Sequence, residues 1–90
     1  MNQRKGSVKK EIRRIDWNIV VRIMYILHRN YEMKKSHIAT KGRLGYDKCR
    51  LYLDWMEMID LVQRKQNEDG FETIVLSDKG RTLYNEKIKS

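Results

Sequence analysis

Lys48 and Arg50 are the two side chains of this 90-residue sequence best suited to reading another molecule. Both are hydrogen-bond donors of the kind that pair with guanine O6 and N7. Tyr46 and Asp47, beside them in sequence, are candidates for the same role at base edges. A second set of cations surrounds this stretch: Lys34, Lys35, Lys41 and Arg43 before it, Arg64 and Lys65 after it, and Arg13 and Arg14 near the chain start. Their natural chemistry is to hold phosphates, which sets register and supplies affinity but carries little sequence information.

Other chemistry finds little support. No Ser/His/Asp set, glycine-rich phosphate loop or carboxylate pair stands out, so catalysis is not expected. Cys49 is the one cysteine, which excludes an internal disulfide. With His28 and His37 it makes no ligand spacing for zinc, so neither a metal nor a cofactor is expected. Cys49 reads as a small buried hydrophobe, and His28 as a cation suited to the negative end of the first helix.

Charge points the same way as these candidates. Twenty Lys and Arg against twelve Asp and Glu give a formal charge of +8. Residues 1–14 hold six cations and one anion, and residues 33–50 hold the same balance, while the remainder is slightly negative. Two basic patches on a nearly neutral body fit a polyanionic partner. Ninety residues, 40% of them hydrophobic, allow one domain with one modest core. No apolar run is long enough to span a membrane, and the charged start lacks the apolar stretch of a signal peptide, so a cytoplasmic, nucleoid-associated protein without membrane contact is expected.

The elements that must position these residues follow from periodicity. Residues 1–14 read as a basic arm, with Val8, Ile12 and Ile15 spaced for a helix starting near Ser7. Asp16 is a good N-cap for a helix over 17–29. Ile19, Ile23, Ile26 and Leu27 form its apolar stripe, widened by Val20, Val21, Met24 and Tyr25, so it should be covered on more than one side. A connector over 30–35 carries a short extended piece at 31–34. Ser36 then caps a short helix to about Lys41, closed by Gly42 in the left-handed conformation.

The next helix covers 46–59. Tyr46, Cys49, Tyr52, Leu53, Met56 and Ile59 share its inner face, and Asp47, Lys48, Arg50 and Leu51 point outward. A short helix, a glycine-containing turn and a longer helix make a helix-turn-helix. Asp60 ends the helix, strands follow over 61–66 and 71–76 around an Asn67–Gly70 turn, and Ser77 caps a last helix over 78–89 that buries Leu83, Tyr84 and Ile88. The fold class is therefore mainly α with a small β-hairpin. The order helix-helix-helix-strand-strand-helix is a winged helix-turn-helix, with residues 15–90 as its single domain.

Three pieces carry a resemblance to a known family: Arg14-Ile-Asp-Trp-Asn-Ile-Val, then Leu44-Gly-Tyr with Tyr52-Leu, Met56 and Ile59-Asp-Leu-Val62, and finally Val75-Leu-Ser-Asp-Lys-Gly80. Together they resemble the small archaeal winged-helix regulators, related to dimeric chromatin-type proteins. The resemblance implies a homodimer that binds double-stranded DNA as a transcriptional regulator, with 46–59 as recognition helix and the 67–70 hairpin as wing. Two departures stand out. Gly45 stands where relatives often place Ser, and the wing tip is acidic, with Glu68, Asp69 and Glu72, so the tip is not expected to touch a phosphate backbone.

Leu51, Trp55 and Met58 form a second apolar line on the reading helix, which calls for a cover. They and Val8, Ile12 and Ile15 are the candidates for a dimer or partner contact. Two other functions stay open: a protein-interaction module using the Leu51/Trp55/Met58 face, and an RNA-binding domain. The second lacks the exposed aromatic platform of single-strand readers, since the hairpin offers only Phe71.

Overall fold

Asp16 starts the first helix, α1 (Trp17–Arg29), by accepting a hydrogen bond from the Asn18 amide at 3.0 Å. The computed structural model describes residues 14–88; Val8, Ile12, Arg13 and the helix expected from Ser7 lie outside them. α1 is followed by α2 (Lys35–Gly42), α3 (Tyr46–Met58), β1 (Val62–Gln66), β2 (Glu72–Leu76) and α4 (Asp78–Leu83), which runs on into a π-type turn at Tyr84–Ile88. This is the expected winged-helix order, mainly helical with one antiparallel hairpin.

The core explains why each element sits where it does. Ile19, Val20, Ile23, Met24, Ile26 and Leu27 of α1 are buried, and they meet Ile38 and Ala39 of α2 and Cys49, Tyr52, Leu53 and Met56 of α3. The hairpin covers the open end of this cluster with Val62, Ile74 and Leu76. Its register pairs Val62 with Leu76 and Arg64 with Ile74. The extended piece expected at 31–34 is real but minimal: Met33 and Ile74 exchange both backbone hydrogen bonds, at 3.1 and 2.8 Å. That bridge ties the helix-turn-helix to the wing, and the Asp16 amide, donating to the Tyr52 hydroxyl at 2.9 Å, ties α1 to α3.

Several local expectations are corrected. Ser36 does not cap α2; Lys34 is the N-cap, without a side-chain hydrogen bond, and Ser36 lies inside the helix, where its carbonyl accepts from the Thr40 hydroxyl. Gly42 is not the left-handed residue either. It ends α2 buried, its carbonyl accepting from Arg22 at 2.9 Å, and Arg43 takes the positive φ of 56°. Arg22 and the packing against Ile26 hold the chain helical one residue longer than the glycine signal implied. α1 is covered on more than one side, as expected, but Val21 and Tyr25 do not widen its buried stripe: with Trp17 they stay exposed on one face. β1 starts at Val62 rather than Leu61, and the last helix widens at Tyr84, with Tyr84 buried but Leu83 and Ile88 only half-buried.

Asp60 does end α3, with φ 65°, a conformation that costs an L-residue energy that glycine does not pay. Asp60→Gly should therefore raise stability by about 0.5–1 kcal/mol. The gain would appear as a higher urea midpoint at unchanged slope. A lower midpoint would show that the Asp60 carboxylate holds something the geometry does not reveal.

Candidate nucleic-acid interface

The outward end of α3 forms because Gly45 starts the helix without a side-chain cap and Cys49, Tyr52 and Leu53 anchor the opposite face. Asp47, Lys48 and Arg50 are exposed, as expected. Tyr46 departs from expectation: it is 49% exposed and belongs to the surface rather than the core. Leu51 is half-buried rather than fully outward. Two residues along a helix turn through ~200°, so Lys48 and Arg50 lie on opposite flanks of the outer face, with Asp47 and Leu51 between them.

The cations divide into two groups by what surrounds them. Lys41 and Arg43, at the end of α2, are exposed and, like Lys48 and Arg50, take part in no ion pair among the described residues. Arg14 is exposed at the foot of α1. The cations near the wing are all engaged. The Lys34 ammonium sits 4.0 Å from the centre of the Phe71 ring, and Lys35 lies 3.5 Å from Glu72. Lys65 donates to the Tyr31 hydroxyl at 3.0 Å and lies 3.7 Å from Glu32. Arg64 meets three carboxylates: Glu57 at 2.8 Å, Asp54 at 3.3 Å and Glu72 at 3.6 Å. The Glu57 hydrogen bond pushes the Arg64 guanidinium further above its ordinary range, and the Tyr31 hydrogen bond does the same for Lys65.

These partners were missed in the sequence. Asp54 and Glu57, three apart on α3, face one direction, and that spacing was the one available signal that a cation should come to them. Nothing short-range linked them to Arg64 on another element.

Cys49 is fully buried, and burial pushes its thiol up to about 11, with Lys35 pulling weakly the other way. It is a core residue, as expected, and its thiol stays protonated at neutral pH. No group of three or more His, Cys, Asp or Glu among the described residues could hold a metal ion. No helix among them is long and apolar enough to cross a membrane. His28 lies in the last turn of α1 with its ring stacked on Tyr84 at 4.4 Å.

The apolar line on α3 breaks up in three dimensions. Trp55 is half-buried and meets Trp17 edge to face at 5.8 Å, Ile15 packs partly on the core, and Met58 is 75% exposed. Exposed apolar side chains thus stand on α1, at Trp17, Val21 and Tyr25, and at Met58 on the end of α3, besides Tyr31, Tyr46 and Phe71 elsewhere.

No family model matches the sequence, and no curated protein matches it. Solved structures do match. RV1404 from Mycobacterium tuberculosis aligns with a TM-score of 0.74 at 16% identity, over 89% of this chain and 55% of its own. A MarR family protein from Bacillus stearothermophilus gives 0.68 at 23% identity, over 93% of this chain and 58% of its own. A MarR family transcriptional regulator from Silicibacter pomeroyi gives 0.67 at 22% identity, over 74% and 48%. The chain thus spans about half the length of the structures it matches. At these identities the likeness is one of fold.

Proposed function

We propose that this chain binds double-stranded DNA as a homodimeric transcription regulator, of the kind its resemblance to the archaeal winged-helix regulators implies. The observation that carries this reading is the group of exposed, unengaged cations Lys41, Arg43, Lys48 and Arg50 at the helix-turn-helix of a winged-helix fold. MarR-family transcriptional regulators with the same fold support it. In this reading the outer face of α3 enters the major groove. Arg50 reaches base edges from one flank and Lys48 meets the phosphate backbone from the other, Asp47 and Tyr46 lie between and beside them, and Lys41, Arg43 and Arg14 hold further phosphates. The second subunit covers the apolar surface of Trp17, Val21, Tyr25 and Met58 and places a second reading helix one helical turn along the duplex.

Titration with a random-sequence duplex across several salt concentrations tests the reading, with matched single-stranded RNA alongside. The expected result is duplex binding whose log affinity falls with log salt by about 0.9 per phosphate contact, with two protomers per site in the analytical ultracentrifuge. Failure to bind duplex at low salt would end the DNA reading. The exposed Trp17, Tyr25 and Met58 would then favour the second one, a protein-interaction module whose binding responds little to salt.

A further inference from the structure

Arg64 has the surroundings of a structural ion-pair hub rather than of a phosphate-holding cation. It comes from β1, yet two of its three carboxylates, Asp54 and Glu57, belong to α3. Its third, Glu72 on β2, is shared with Lys35. Three carboxylates against two cations leave this corner with an excess negative charge. A phosphate approaching Arg64 would meet carboxylates that already occupy its donors.

Arg50 and Asp54 are four residues apart, the spacing at which oppositely charged side chains on a helix pair. They do not pair here; Asp54 lies on Arg64 instead, and Arg50 is left exposed. We propose that Arg64 acts on duplex binding through Asp54 and Glu57, as a positioning residue that does not touch the duplex. It neutralises the two carboxylates of the reading helix and stops Asp54 from capturing Arg50. This rests on the reading of α3 as the DNA-facing helix.

The test is a double-mutant cycle on duplex affinity, with Arg64→Ala and the pair Asp54→Asn plus Glu57→Gln. Arg64→Ala should weaken binding by about tenfold, since Asp54 and Glu57 then stand uncompensated on the helix that faces the phosphates. The carboxylate changes should do little on the wild-type background and restore most of the loss on the Arg64→Ala background. The triple variant should keep the wild-type salt slope. Equal effects of the carboxylate changes on both backgrounds would overturn the proposal. So would a triple variant whose slope is shallower by about 0.9, the mark of a lost phosphate contact.

Arg64 has a 43% exposed side chain, so alanine should be tolerated. Arg64→Lys, which keeps the charge, should retain near-wild-type affinity and serves if the alanine variant does not fold. A wild-type protein that fails to bind duplex would fault the reading of α3; a wild-type protein that binds, with an additive cycle, would fault this proposal alone.

Discussion

Alanine at Arg50 should cost duplex binding about 1–3 kcal/mol and relax preference at one guanine, whereas alanine at Lys48 should act mainly on salt dependence, lowering the slope by about 0.9. The two residues differ for two reasons. Guanidinium is a planar fork that matches guanine O6 and N7 with two donors, while ammonium is a strongly hydrated point charge. They also stand on opposite flanks of α3, so one insertion cannot aim both at the same base pair. Arg50 borders the wing side, where Arg64 holds Asp54 away from it. Sequences selected by the wild-type protein from a random pool, then competed against random duplex for each variant, would separate the roles. If Arg50→Ala weakens selected and random duplexes by the same factor, Arg50 is a phosphate contact and the base reader must be sought at Asp47 or Tyr46.

How much of this was legible in the sequence depends on the range of the interaction. Asp16, Ser77 and Gly70 did what their types and neighbours imply, because capping and a positive-φ turn are decided within four residues. The inner face of α3 was legible from spacing for Cys49, Tyr52, Leu53 and Met56. Tyr46 fell off that face because it stands at its edge, ~70° around the helix from the centre of the Cys49, Tyr52, Leu53 and Met56 stripe, where it is 49% exposed. The C-terminal end of α2 was misjudged at Gly42 for a long-range reason: Arg22, twenty residues earlier, donates to the Gly42 carbonyl and shifts the left-handed residue to Arg43.

The candidate site shows the same division. That Lys41, Arg43, Lys48 and Arg50 are exposed follows from helix period alone. That Lys34, Lys35, Arg64 and Lys65 are engaged could not be read, because their partners Phe71, Glu72, Asp54, Glu57, Tyr31 and Glu32 come from other elements. Cation counts treated all eight alike. Folding sorts them by bringing the acidic wing against one side of the helix-turn-helix.

Gly80→Ala should be the most damaging alanine substitution among the described glycines, with a loss of roughly 3 kcal/mol. A Cβ at Gly80 would collide with the Leu61 carbonyl and press on Leu76 Cδ2 at 3.2 Å. Neither neighbour can yield cheaply. The Leu61 carbonyl accepts from the Ser77 amide at 3.0 Å, and the Ser77 hydroxyl donates to the Asp60 carbonyl while accepting from the Gly80 amide at 2.9 Å. Lys79 adds a hydrogen bond to the Ile59 carbonyl at 3.1 Å. One short segment, Ser77 to Gly80, thus satisfies three successive carbonyls at the end of α3 and fixes where that helix stops relative to the hairpin. Displacing it would open those carbonyls and loosen the wing together. For a domain of this size the expected fall in melting temperature is more than about 10 °C. Gly45→Ala is the control: no atom lies within 4 Å of a Cβ there, and its φ of −63° suits any residue, so its melting temperature should stay within a few degrees of wild type. A Gly80→Ala protein that melts as Gly45→Ala does would show that α4 can shift off Leu61 without cost. The tight seat of the Ser77–Gly80 segment would then not be what orients the wing on α3.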